Sequence, residues 1–146
     1  MSAPGPGEVL FAFVRHWSRR SSAGDAAAAE QERLVLATEA VDSLNRRGTA
    51  ATVNAVAREI GIDQSGASRL IRTAAEAGYL TMRGSPTDGR RRQANVTPSG
   101  HSLLEQAHAW QERVFDRLTE GWTEQQRRDF QQAMTALIDR SYALDA

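Results

Sequence analysis

Two short helical patterns, about residues 53–60 and 64–77, meet across Gly61-Ile62-Asp63, and this junction constrains the fold more than any other stretch of the chain. Thr52 and Asp63 stand where N-caps are needed, with side-chain oxygens able to accept from the free N–H groups of a first helical turn. Gly61 and Gly78 stand where a left-handed residue closes a helix. Ala57 and Gly61 are small enough to let two helices cross closely. In the second pattern Ala67, Leu70, Ile71 and Ala74 form an apolar stripe, which turns Gln64, Ser65, Ser68, Arg69 and Arg72 outward. The pair predicts a helix-turn-helix.

The flanks complete a mainly α chain with a small β-hairpin. Leu10, Phe13, Val14 and Trp17 recur at helical spacing over residues 8–20, and residues 1–7 are a Pro/Gly-rich tail expected to be disordered. Small polar residues from Ser21 to Ala29 predict a loop, although the alanines could extend a helix. Leu34, Ala37, Val41 and Leu44 share one face of a helix over 30–47, stopped by Gly48. Tyr79–Arg83 and Gln93–Val96 predict two strands, with Ala94 and Val96 on one face. The connection between them, carrying Pro86 and Asp88-Gly89 as turn signals, is longer than a hairpin needs. Thr97-Pro98 supplies an N-cap and an N1 proline for a helix running to about Glu120 and broken by Gly121. Thr123 to Gln126 fits a capping box ahead of a last helix that runs to about Tyr142.

What the chain lacks excludes whole classes of function. With 146 residues it can bury a core without cross-links. It has no cysteine, so disulfides, thiolate metal sites and cysteine nucleophiles are ruled out. There is no Gly-rich phosphate loop, HExxH pattern or nucleophile elbow, and Ser65-Gly66-Ala67-Ser68 reads as a helix start; no enzyme activity and no cofactor are expected. His101 and His108 lie two turns apart on one helix, too far to share one ion, and no metal site is expected with them or His16. The aromatic residues Trp17, Trp110, Phe115, Trp122 and Phe130 read as core or interface. No apolar run suits a membrane span and no signal peptide is visible, so a cytoplasmic protein with no membrane partner is expected.

Charge then separates one region from the rest. Formal net charge is zero, and every basic side chain other than histidine is arginine. Residues 46–93 carry nine arginines against Glu59, Asp63, Glu76 and Asp88, whereas the remainder carries nine arginines against 14 acids. The basic excess coincides with the helix-turn-helix and the hairpin, a winged-helix arrangement suited to double-stranded DNA. A helix fits the major groove, where each base pair presents its own donor and acceptor pattern. An arginine-tipped hairpin can reach a narrow minor groove, where negative potential is focused. Gly66 within the second helix has two readings: a local weakening of about 1 kcal/mol, or a close approach to DNA.

From Asp88-Gly89-Arg90-Arg91-Arg92 through Val96-Thr97-Pro98-Ser99-Gly100 the chain resembles the MarR family of winged-helix transcription regulators. The family pattern there is D-x-R-x-x-x-V-x-L-T-x-x-G. Asp88, Arg90, Thr97 and Gly100 match it, while Ala94 and Val96 replace its usual valine and leucine. Ala57-Arg58-Glu59-Ile60-Gly61-Ile62, Ser68-Arg69-Leu70-Ile71 and Glu76-Ala77-Gly78-Tyr79-Leu80 extend the likeness upstream, so that it covers residues 53–100. The family's frequent Leu-Thr-x-x-Gln start to the second helix is missing.

The resemblance implies a mainly α fold in which a winged helix-turn-helix, residues 30–100, is flanked by dimerisation helices at 8–29 and 101–146. It also implies a repressor acting as a homodimer on a pseudo-palindromic operator. Gln64, Ser65, Ser68 and Arg69 would face the major groove, with Arg69 reading guanine. Arg90 would enter the minor groove, oriented by Asp88, and Arg72, Arg91 and Arg92 would hold phosphate. A small aromatic or anionic effector is a possible partner, with Arg15 and His16 as its candidate contacts. The alternative is a winged-helix protein–protein interaction module without specific DNA binding.

Overall fold

In a computed structural model the described residues are 2–21, 26–84 and 92–144, without the side chains of 19–21. They form α1 (Pro6–Ser21), α2 (Ala26–Arg46), α3 (Val53–Ile60), α4 (Gln64–Glu76), β1 (Leu80–Gly84), β2 (Arg92–Val96), α5 (Pro98–Leu118) and α6 (Glu124–Leu144). The chain divides into two compact units, Met1–Ala107 and His108–Ala146, with the division inside α5.

The first unit is built around the helix-turn-helix. Leu34, Ala37, Val41 and Leu44 of α2, Ala55, Val56 and Ala57 of α3, and Ala67, Leu70, Ile71 and Ala74 of α4 form one buried cluster with Leu80 and Ala94. The α2 and α4 members are the stripes that helical spacing marks out. Thr38 is also fully buried, and its hydroxyl donates to the Leu34 carbonyl at 2.7 Å, so its polar atom is satisfied inside its own helix. Across the base of the motif, Arg47 reaches Glu59 at 2.6 Å and ties the end of α2 to α3.

Local hydrogen bonds fix the ends of these helices. The Thr52 hydroxyl accepts from Ala55 N–H at 3.1 Å, and an Asp63 carboxylate oxygen accepts from Gly66 N–H at 2.9 Å. At the exit of α4, Tyr79 N–H donates to the Ala74 carbonyl and Gly78 N–H to that of Ala75, the paired bonds of a Schellman closure. Tyr79 is therefore spent on ending the helix, and β1 starts one residue later than the alternation suggests. The strands pair antiparallel, Leu80 opposite Val96 and Met82 opposite Ala94. Ala94 N–H also donates to the Ala51 carbonyl at 2.8 Å, which attaches the hairpin to the segment between α2 and α3.

Two helix starts come earlier than their patterns. α1 begins at Pro6, an N1 proline, with Gly5 N–H donating to Glu8 Oε2 at 2.8 Å. α2 begins at Ala26, because a run of alanines has the highest helix propensity and joins the helix behind it. The apolar stripe of α1 is only partly covered: Leu10 and Trp17 are half-buried, while Phe13 and Val14 are 51% and 48% exposed.

The second unit is a helical hairpin around a small aromatic cluster. The Phe115 and Phe130 rings stack with centroids 5.7 Å apart, and Trp122 meets Phe130 edge-on at 5.7 Å. Arg127 bridges the corner, donating to Asp116 at 2.9 Å and to the Thr119 carbonyl at 3.3 Å. The capping box is made in both directions: Thr123 N–H donates to the Gln126 side chain at 2.8 Å, and Gln126 N–H to the Thr123 hydroxyl at 3.1 Å. α6 buries no residue, and Phe130, Met134, Leu137 and Ile138 remain exposed along it.

Candidate nucleic-acid interface

The outward face of α4 gathers the residues singled out for the major groove. Asp63 caps the helix, the inward stripe sets its rotation, and Gln64, Ser65, Ser68, Arg69 and Arg72 line one shallow, open depression. Gln64, Ser65, Arg69 and Arg72 are exposed and Ser68 is half-buried. Among the described residues no acid pairs with Arg69 or Arg72, so both guanidinium groups present their donors to solvent. Short polar side chains at the helix start and arginines about one and two turns later suit a base edge flanked by phosphates.

Gly66 sits at the third helical position, and a Cβ there would lie 2.6 Å from Asp63 Oδ1. Its small size thus makes room for the N-cap, a reason intrinsic to the helix start that neither sequence reading contained.

The positive excess is unevenly available. Arg46 pairs with Asp42 at 3.0 Å and Arg47 with Glu59 at 2.6 Å, so these two are locally neutralised. Arg92 is exposed but donates to the Met82 carbonyl at 3.2 Å, which lays part of its guanidinium along the hairpin. Arg58 on α3 and Arg83 on β1 are exposed arginines that the motif reading left unassigned. Their signal in the sequence was position alone, each lying opposite a buried face. Asp88, Arg90 and Arg91, with the turn signals Pro86 and Asp88-Gly89, lie outside the described residues.

On α1, Arg15 and His16 are both exposed. The His16 ring meets Trp17 edge-on at 5.5 Å, and Phe13 lies 6.3 Å from Trp17, so three rings adjoin along this helix. Among the described residues no group of three or more histidines and acids could hold a metal ion, and no helix is long and apolar enough to cross a membrane.

Residues 37–91 match the model of the MarR family. No curated protein sequence matches the chain. Solved structures do: MarR is 22% identical, with 99% of this chain and 96% of that one covered and a TM-score of 0.68. Bordetella bronchiseptica BpsR, described in terms of regulation of its DNA binding by 6-hydroxynicotinic acid, is 20% identical over 95% of this chain and 96% of its own, at 0.60. A MepR variant from S. aureus bound to an oligodeoxyribonucleotide is 15% identical over 94% and 99%, at 0.53. The chain shares the winged helix-turn-helix fold of these structures, and within it residues 37–91 are similar to the MarR family.

Proposed function

Starting from that winged helix, we propose that the protein is a sequence-specific DNA-binding transcription regulator, a repressor that meets a pseudo-palindromic operator as a homodimer in the cytoplasm. One observation carries the reading: the five outward residues of α4 form a single open surface whose two arginines are paired with no acid among the described residues. Arg69 reads a base edge, bidentate to guanine, with Gln64, Ser65 and Ser68 beside it. Arg72, Arg91 and Arg92 hold phosphate, and Arg90, oriented by Asp88, enters the minor groove. The match over residues 37–91 and the DNA-bound MepR variant support this assignment.

A second copy of the chain accounts for the uncovered apolar faces of α1 and α6. Two copies would place their α4 helices in successive major grooves, about 34 Å apart. An effector reading follows BpsR, whose DNA binding is regulated by an aromatic acid. In this protein Arg15 and His16, beside Trp17, would receive the anionic and aromatic parts of such a compound.

The test is selection of bound fragments from genomic DNA, with Arg69→Ala and Arg90→Ala run in parallel. Wild type should enrich a palindromic site, and each variant should lose at least several-fold in affinity for it. Failure of wild type to enrich any site at low salt, after refolding to strip bound ligand, together with a stable protein partner in pulldown, would replace this reading with that of an interaction module.

A further inference from the structure

Thr97 matches the family motif, yet its side chain points to no groove. The hydroxyl donates to the Gly78 carbonyl at 2.6 Å and accepts from Gly100 N–H at 3.0 Å. Its backbone N–H donates to the Tyr79 carbonyl at 3.0 Å. Gly78 and Tyr79 are the two residues that close α4, and Tyr79 N–H is itself bonded to the Ala74 carbonyl in the last turn of that helix. A continuous run of hydrogen bonds therefore joins the last turn of α4 to the first turn of α5, with one hydroxyl as its shared atom. Gly100 lets the two ends close up. It is buried, and a Cβ there would collide with the Tyr79 carbonyl oxygen and come within 2.7 Å of Val96 Cγ1.

We infer that Thr97 is a positioning residue for the DNA-reading helix: its hydroxyl sets the seat of α4 against α5, so that a shift of α5 is carried to α4. The inference rests on the DNA-binding reading of α4. An N-cap needs only an acceptor. The bond to Gly78 needs a donor as well, and a hydroxyl supplies both from one atom. This double demand separates positioning from plain helix capping.

Amide hydrogen exchange, measured without DNA, and affinity for the selected operator test it together. Thr97→Val removes donor and acceptor. Thr97→Asp keeps the acceptor for Gly100, so α5 still starts, but its carboxylate cannot donate to Gly78. In both variants the Gly78 and Tyr79 amides should exchange about tenfold faster, the scale of one lost hydrogen bond. In Thr97→Asp the Gly100 amide should keep its protection. Operator affinity of Thr97→Val should fall by a similar factor with its salt dependence unchanged, because no phosphate contact is removed. Thr97→Ser should restore exchange and affinity. Wild-type protection of Tyr79 in Thr97→Asp, or a Thr97→Ser variant as defective as Thr97→Val, would overturn the inference. Wild-type protein that binds no DNA would instead overturn the regulatory reading, and the exchange data would still decide whether the hydroxyl links the two helices.

Discussion

Gly100 and Gly66 are glycines for different reasons, and the difference predicts different substitutions. At Gly100 the obstacle is backbone, the Tyr79 carbonyl, which cannot rotate aside. Gly100→Ala should cost about 1–3 kcal/mol, the usual range for overpacking, read as a lower denaturant midpoint. At Gly66 the obstacle is the end of the Asp63 side chain, which can swing away at the expense of the cap. Gly66→Ala then exchanges a lost N-cap of about 1 kcal/mol for a helix-propensity gain of similar size. Its stability should stay near that of wild type, whereas Asp63→Ala should lose the cap energy with no such offset. A Gly66→Ala loss comparable to that of Asp63→Ala would sink this account. The caps at Thr52, Asp63 and Thr123 were legible in the sequence because a cap is a local pattern of residue types. The reason for Gly66 was not, because it depends on the rotamer of a side chain three residues away.

The hairpin and α4 show what periodicity conveys and what it omits. The stripe Ala67, Leu70, Ile71 and Ala74 fixed which face of α4 is inward, and therefore which five residues face out. The bridge from Ala51 to Ala94 had no such signal, since a single residue has no period. Nor did the Arg47–Glu59 pair, whose partners stand 12 residues apart and meet only when α2 and α3 pack. This pair also corrects the charge map: segment counting treats every arginine alike, whereas Arg46 and Arg47 are already matched by acids. Arginines on one helix face should accordingly differ in kind. Arg69→Ala should cost about 1–3 kcal/mol on the preferred operator and relax selectivity at one base pair. Arg72→Ala should weaken binding to all sequences alike and lower the salt slope by about one. Competition assays across a single-base operator library, at several salt concentrations, separate the two. Equal profiles for both variants would refute the division into reading and holding.

At the scale of the molecule, the well-buried core belongs to the first unit, and α1 and α6 keep broad apolar faces in the single chain. Periodicity identified those faces but could not say what covers them. A second copy as the cover predicts a thermal midpoint that rises with protein concentration, because association stabilises by mass action. Leu137→Glu should yield a monomer with a lower, concentration-independent midpoint and weaker operator binding, as measured by sedimentation and fluorescence anisotropy. A wild-type midpoint that stays constant over a hundredfold dilution would exclude the dimer. The partly uncovered face of α1 also bears on how the proposed regulator would respond to supply. When chains are scarce enough to be mostly single, halving their number cuts the assembled pairs about fourfold. If the pair is the operator-binding form, growth without new synthesis would then empty an operator faster than dilution alone, and the gene dosage of such a regulator would be a sensitive setting in its own right.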